Sequence, residues 1–389
     1  MLREGARRML REAVEAEVAD YIERYAGERD AETGHRRVVR NGHLPEREIL
    51  SGVGPIPVRQ PRVRDRREGM KFTSAILPPY FRRTPSLEAL IPTLYLKGVS
   101  TNDFPEALCA ILGEGAKGLS ASTIVRLKEV WEKEYETWQE RDLTGKRYVY
   151  FWADGVYFNV RLTDERPCVL VIVGALEDGT KELVALMDGE RESTLSWKEL
   201  LLDLKRRGLE VGPEVSVGDG ALGFWAALEE VFPKCRRQRC WVHKTANVLD
   251  KMPKSMQPAA KAMLHRMYQE ETKAEALKVY EEFLALYGAK CPKACACLEK
   301  DKEDLFTFYD FPAEHWMHLR TSNPVESTLG TVRHRHRQTK GNGSRMATLA
   351  MTHQLMMQAQ KHWRKLNSHE LIAKLIEGVK FVDGVAEAA

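Results

Sequence analysis

Three acids sit at positions where their chemistry would matter. Asp154 ends the apolar run YVYFWAD, Asp219 follows the strand-like VSVG, and Glu326 heads TSNPVESTLGTVRHRHRQTKG. Carboxylates from two strand ends and one facing helix make an oxygen-only donor set, which suits a hard divalent cation such as Mg²⁺. Two such ions about 3.5–4 Å apart can activate a water or a 3′-hydroxyl and stabilise the leaving oxygen of an in-line phosphoryl displacement. Without a cation, clustered carboxylates repel and raise one another's pKa values.

Each acid also has a plain structural reading. Asp-Gly is common turn chemistry, and Asp219 suits the N-cap of the helix that begins ALGFW. Asn323-Pro324-Val325-Glu326 has the order of a capping box, with Pro at the first helical position and an acid at the third. A cap leaves the basic stretch unexplained. Between Arg320 and Arg345, Glu326 is the only acid among six lysines and arginines. Arg333, Arg335, Arg337 and Lys340 are the residues there that would carry a phosphate backbone. His334 and His336 lie among them and read as surface residues, with pH-dependent binding as the alternative.

The elements that must position these acids alternate in period. KRYVYFWADGVYFNVRL reads as a strand pair across a tight Asp-Gly turn. PCVLVIVGALEDG is a buried strand and KELVALMDG a short one. STLSWKELLLDLKRRG is a capped helix with Leu195, Leu200, Leu201 and Leu204 apolar, ended by Gly208. A strand (GPEVSVGDG), a helix stopped by Pro233, a strand (KCRRQRC) and the helix WVHKTANVLDK follow. This order describes a mixed α/β sheet with helices on its faces. Residues 253–319 are helical and read as an insertion, after which Asn323 opens a basic helix and QLMMQAQKHWRKL forms the final one.

The first third of the chain differs. Leu10, Val14, Val18 and Tyr21 recur at helical spacing, so the start is an amphipathic helix and not a targeting segment. From Arg36 to Arg67 nine arginines face Glu46, Glu48 and Asp65, interleaved with valines and turns. That suits a small β unit tracking phosphates through Arg36, Arg37 and Arg40. SLEALIPTLYLKGVSTNDFPEALCAIL and LSASTIVRLKEVWEKEYETW read as three helices. The last opens with Ser122 and Thr123 and carries Arg126, which suits a helix-turn-helix; the other reading is a plain helical bundle.

Composition limits the rest. A chain of 389 residues, 43% hydrophobic, has apolar material for two or three packed units. The net charge of +4 is too small to identify a polyanionic partner, so the clustering carries that inference. Seven cysteines without a secreted spacing imply free thiols in a reducing compartment. No apolar run is long enough for a bilayer. A cytoplasmic, nucleoid-associated protein is expected.

The blocks YLKGVSTNDF, SASTIVRLK, YVYFWADGVYFNVR, VSVGDGALGFWAALEEVFPKCRRQRCWVHKTANVLDKMPK and TSNPVESTLGTVRHRHRQTKG resemble the bacterial insertion-sequence transposases related to the Mutator elements. The resemblance covers most of the chain. It implies a DDE-type catalytic domain on a ribonuclease H-like α/β fold. That fold would have a mixed sheet with helices on both faces and an all-helical insertion, preceded by a mostly helical DNA-binding region. Asp154, Asp219 and Glu326 match the family's three acids, 65 and 107 positions apart. Cys240 and His243 match its Cys-x-x-His motif. At i and i+3 they share a helix face, which is half a zinc site, but no four-ligand set is apparent; a site-supporting role is expected.

The organisation expected is an N-terminal helix (1–34), a basic β unit (35–70) and a helix-turn-helix-like domain (71–145). A catalytic domain (146–252 and 320–365) follows, interrupted by a helical insertion (253–319), with a tail (366–389). The expected activity is Mg²⁺- or Mn²⁺-dependent strand cleavage at element ends and transfer of the 3′-hydroxyl to target DNA, by a dimer or larger assembly. Two rivals stay open: a structure-specific nuclease that does not join strands, and a non-catalytic zinc-containing DNA-binding regulator.

Overall fold

The computed structural model describes residues 1–99, 103–112, 121–158, 168–220, 223–338 and 344–387, the side chains of 121–125 and 338 excepted. Two units, Met1–Leu127 and Lys128–Ala389, each have their own core.

In the first unit, helix α1 (Leu2–Arg24) precedes four short strands, β1 (Val38–His43), β2 (Arg47–Ser51), β3 (Gly54–Val58) and β4 (Pro61–Asp65). β2 and β3 form an antiparallel hairpin, and β1 pairs antiparallel with β4. The helical spacing seen in the sequence places Val14 of α1 on Ile49, Ile56, Val58 and Leu77. Asp65 accepts from Tyr21 Oη and pairs with Arg67, each at 2.7 Å, while the Arg67 guanidinium lies 3.6 Å from the centre of the Tyr25 ring. The bonds from Arg67 hold the Asp65 carboxyl far below the usual carboxylate range. Helices α2 (Pro85–Lys97), α3 (Phe104–Leu112) and α4 (Ala121–Gln139) follow. Gly98 ends α2 at φ 118°, a left-handed cap that favours glycine.

The second unit is mixed α/β. Its strands are β5 (Tyr148–Tyr157), β6 (Cys168–Leu176), β7 (Lys181–Gly189), β8 (Val215–Gly218) and β9 (Arg236–Arg239), in the order β7-β6-β5-β8-β9. β5, β8 and β9 are parallel; β6 runs antiparallel to both its neighbours. Helix α5 (Thr194–Arg206) connects β7 to β8, α6 (Phe224–Val231) connects β8 to β9, and α7 (Trp241–Leu249) leaves the sheet. Phe151, Leu170 and Ile172 pack with Trp197, Leu200 and Leu204 of α5 and with Phe224 and Leu228 of α6. Leu195, at the start of α5, is 73% exposed, while Leu200, Leu201 and Leu204 are buried.

The expected turn at Asp154-Gly155 is absent. β5 runs straight through both residues, hydrogen-bonded along its length to β6. Turn chemistry loses here because the whole segment from Tyr148 to Val156 is buried, and a buried backbone must keep its ladder partners.

The helices from the insertion onwards are α8 (Gln257–Gln269), α9 (Lys273–Tyr287), α10 (Pro292–Glu299), α11 (Lys302–Leu305), α12 (Trp316–Leu319), α13 (Asn323–Gln338) and α14 (Arg345–Gln360). Side chains of β5 reach this part of the chain: Trp152 Nε1 donates to His318 O at 2.8 Å and Tyr150 Oη lies 2.8 Å from His315 Nδ1. Chain order continues past the helix read as final. A short α15 (Leu371–Ile376) and a hairpin of β10 (Phe381–Val382) and β11 (Val385–Ala386) dock back, with Leu366 N–H on Gly179 O at 2.9 Å and Ala313 N–H on Gly384 O at 3.1 Å. Among the described residues, no helix is long and apolar enough to cross a membrane.

Candidate active site

Parallel pairing of β5 with β8 sets the first two acids side by side. Ala153 pairs with Gly218, so Asp154 and Asp219 each come one residue later, at the point where β8 ends. Crevices at the carboxyl ends of adjacent parallel strands are where ligands collect in α/β sheets. Asp154 is buried and its Oδ1 accepts the Gly155 N–H at 2.8 Å.

Arg191, in the loop between β7 and α5, joins these acids. Its Nη2 is 2.5 Å from Asp219 Oδ2 and its Nε is 4.0 Å from Asp154 Oδ1. From the other side, Arg333 Nη2 of α13 is 3.8 Å from Asp154 Oδ2. Buried Arg239, at the end of β9, pairs with Asp219 Oδ1 at 2.7 Å and with Asp301 Oδ2 at 3.1 Å, and Lys244 reaches Asp301 at 2.5 Å. Gly220 leaves room for Arg239, whose Nε would lie 2.4 Å from a Cβ there. The N-cap of α6 is Gly223, not Asp219.

Glu326, in the first turn of α13, completes the group. Its Oε1 is 3.5 Å from His243 Nδ1 and accepts from Ser322 Oγ. Glu326 does not close a capping box either. Ser322 O accepts the N–H groups of Val325 and Glu326, and the Ser322 N–H goes to Cys240 Sγ at 3.3 Å. Cys240 and His243 belong to the same site, at the N-cap and in the first turn of α7. Cys240 N–H donates to Gly218 O at 3.0 Å and Trp241 N–H to Arg320 O at 2.9 Å. These bonds tie the end of β8, the start of α7 and the segment before α13 together.

The charges of these groups act on one another. Burial raises the Asp154 carboxyl above the ordinary carboxylate range; Arg191 and the Gly155 N–H oppose the rise, and Glu326 adds to it. The hydrogen bond to Cys240 moves His243 up to about 9 against the effect of burial, and the charges of Cys240, Asp219 and Glu326 add to the rise. Burial pushes the Cys240 thiol up, but His243 and the Ser322 contact outweigh it, so the thiol lies below its usual value. Asp154 thus feels Glu326, and His243 feels both Asp219 and Glu326.

The residues expected to meet DNA are distributed unevenly. Arg333 and Arg337 are exposed on α13, whereas Arg335 on the same helix is 2% exposed. His336 is buried and stacked on Phe158 with 4.1 Å between ring centres, not the surface residue its neighbours suggested. In the first unit Arg36 is exposed and Arg37 half-buried, and Arg40 pairs with Glu15 at 2.8 Å. Arg126 is exposed. The side chains of Ser122 and Thr123, and all of Lys340, lie outside the described residues. Arg191, Arg239, Asp301 and Ser322 were not anticipated as site residues. Arg191 and Asp301 stand in polar loops with no motif around them, so only the folded chain reveals them.

Over residues 1–366 the chain matches the family model described as Transposase, Mutator family. It is 50% identical over 298 residues to the transposase for insertion sequence element IS6120 of Mycolicibacterium smegmatis, a span covering 77% of this chain and 92% of that protein. It is 47% identical over 287 residues to the transposase for insertion sequence element IST2 of Acidithiobacillus ferrooxidans, covering 72% and 95%. A third relative, the transposase for insertion sequence element ISRM5 of Rhizobium meliloti, is 28% identical over 373 residues, covering 95% and 90%.

Proposed function

Since the chain belongs to the Mutator family of transposases, we propose that Asp154, Asp219 and Glu326 are its catalytic acids, on a ribonuclease H-like sheet, for cleavage and joining of DNA. The observation that carries this reading is that parallel pairing of β5 with β8 sets Asp154 beside Asp219, while Glu326, 107 positions after Asp219, shares the His243 neighbourhood with them. Asp154 and Asp219 share Arg191, and Glu326 acts electrostatically on Asp154.

The donor set fits a hard divalent cation. All three groups offer carboxylate oxygens, and Arg191 already places one positive charge between two of them. A Mg²⁺ or Mn²⁺ ion held by Asp154, Asp219 and Glu326 would supply Lewis-acid stabilisation of phosphoryl oxygens. The protein's own groups do the rest. The β5–β6 ladder and the Gly155 N–H fix Asp154, and Arg239 with Asp301 fixes Asp219. Arg191 and Arg333, each within 4.0 Å of Asp154, present planar guanidiniums that match two phosphate oxygens at once. In this reading water attacks the phosphorus at the element end, the P–O3′ bond breaks, and the strand leaves with a 3′-hydroxyl. That hydroxyl then attacks a target phosphodiester, forming a new P–O bond as the target's own P–O3′ bond breaks and the target strand leaves with a 3′-hydroxyl. The first unit, with Arg36, Arg37 and Arg126, reads the element's terminal repeats, and two chains bring two ends together.

The test is a denaturing-gel assay with the full chain, Mg²⁺ and DNA carrying the element end. Cleaved strands and joined products support the reading, with both lost in Asp154→Asn. Cleavage without joining assigns a nuclease. DNA binding with neither product assigns a regulator and overturns the proposal.

A further inference from the structure

Cys240, His243 and Glu326 hold a sulfur, an imidazole nitrogen and a carboxylate oxygen within 4.8 Å of one another. The strand-transfer reading uses only the last of these as a reacting group. We propose that the three side chains form a second metal site, selective for Zn²⁺ over Mg²⁺, which competes with the acid pocket for Glu326. That competition rests on Glu326 being the third catalytic acid; the metal site itself does not.

Three features support the site. First, its donors are held before any metal arrives. Cys240 is pinned through its N–H to Gly218 O, and its sulfur accepts the Ser322 N–H four residues before Glu326. Cys240 and His243 stand one helical turn apart, so α7 presents both to the start of α13. Second, the spacing is close to that of a bound ion. Zinc holds sulfur at about 2.3 Å and nitrogen or oxygen at about 2.0–2.2 Å, so donors around it are about 3.5 Å apart, and the cluster would contract by about 1 Å. Third, the site is closed at one end only. Cys240 is fully buried, while the His243 and Glu326 side chains are 28% and 24% exposed. Three protein donors with an open fourth position are the arrangement of a zinc ion that keeps an exchangeable ligand.

Ligand chemistry sets the selectivity. A thiolate and an imidazole favour zinc over a small hard ion, and Mg²⁺ gives up its water for oxygen donors only. The acid pocket next door has the opposite preference. Glu326 is the one carboxylate both sites can use, and Ser322 Oγ, which bonds Glu326 and lies 3.5 Å from His243 Nδ1, is the group an ion would displace.

The experiment titrates Co²⁺, as a spectroscopic stand-in for zinc, into the metal-free full chain in excess Mg²⁺. The expected result is a thiolate-to-cobalt charge-transfer band that saturates at one ion per chain, survives Mg²⁺ and is displaced by Zn²⁺. It should vanish in Cys240→Ser and weaken in His243→Gln and Glu326→Gln, but persist in Cys297→Ser. The His243 and Glu326 variants keep the buried sulfur and so remain informative if Cys240→Ser does not fold. No band in the wild type, or a band unchanged in His243→Gln and Glu326→Gln, overturns the site. One equivalent of Zn²⁺ should also abolish Mg²⁺-dependent cleavage; zinc bound without inhibition overturns the competition. A chain that never cleaves DNA refutes the catalytic reading but leaves the cobalt result standing.

Discussion

Gly155 packs against the stem of Arg191: a Cβ at Gly155 would stand 2.7 Å from Arg191 Cγ and 2.9 Å from Arg191 Cβ. The glycine after the first acid is therefore a spacer and not a turn residue. It lets the loop after β7 bring a guanidinium onto both Asp154 and Asp219. Gly155→Ala should push Arg191 away and also press on Cys168 Sγ, 3.2 Å from the new methyl. We expect a stability loss of about 1–3 kcal/mol, the usual result of overpacking, read from the denaturant midpoint. A midpoint equal to wild type would show that the loop yields freely.

Neutralising Asp219 should separate chemistry from binding. Asp219→Asn keeps the shape, and Arg239 keeps Asp301 as a partner. Cleavage should fall by about 10³-fold or more, in line with several kcal/mol of lost transition-state stabilisation, while affinity for end DNA stays within about threefold. An equal fall in binding, measured by fluorescence anisotropy, would make Asp219 a structural residue.

Asp301 is the shared partner of two buried cations, Arg239 and Lys244. Burial raises its carboxyl, but Lys244 and Arg239 outweigh that and hold it below the ordinary value. Its contribution is therefore present above the unfolded carboxylate pKa and is lost as pH falls through the lower folded value. Asp301→Asn leaves two buried cations short of a carboxylate and should cost about 3 kcal/mol at neutral pH. The difference between variant and wild type should narrow in strong acid. A constant difference across that range would refute the linkage.

Buried histidines should make the second unit acid-sensitive. Burial moves His318, His336 and His353 each down to about 4, with Lys181, Arg335 and Arg141 respectively adding to the shift. The unfolded chain takes up these protons near pH 6.5 and the folded chain does not, so stability should be full above that pH and fall from there towards pH 4. Each histidine contributes on the order of 1–3 kcal/mol to the fall. Thermal melts between pH 7 and pH 4.5 check this, and His336→Gln should flatten the slope.

Arg337 tests the phosphate-contact reading of α13. It is exposed on the helix that carries Glu326. Arg337→Ala should weaken binding about equally for end and random DNA and reduce the salt slope by about one. An unchanged slope removes Arg337 from the interface.

Element order in the second unit was readable where a strand is a continuous apolar run, as in β6, and where a helix carries a cap, as in α5. Ser193 behaves as expected, accepting the Ser196 N–H at 3.3 Å to open α5. Local chemistry misled where burial overrode it. Asp154-Gly155 has the composition of a turn yet lies inside a strand, paired with Val171 and Leu170 of β6. His336 has the neighbours of a surface residue yet packs on Phe158. α15 has only six residues and the strands of the last hairpin two each, too short to show a period, and the bonds from Leu366 N–H to Gly179 O and from Ala313 N–H to Gly384 O tie this part of the chain back. The three acids were legible as types and positions. The arginine shared by Asp154 and Asp219 was not, because ion pairs across distant loops leave no periodic trace.

Glu326 lies 107 residues beyond Asp219, and the helices from α8 to α12 occupy that interval. A ribosome makes Asp154 and Asp219 several seconds before it makes their companion. On the proposed assignment, the nascent polypeptide holds two of the three acids throughout that time and lacks the third. On that assignment a translation product truncated within the helical stretch would carry Asp154 and Asp219 without Glu326 and should not cleave DNA.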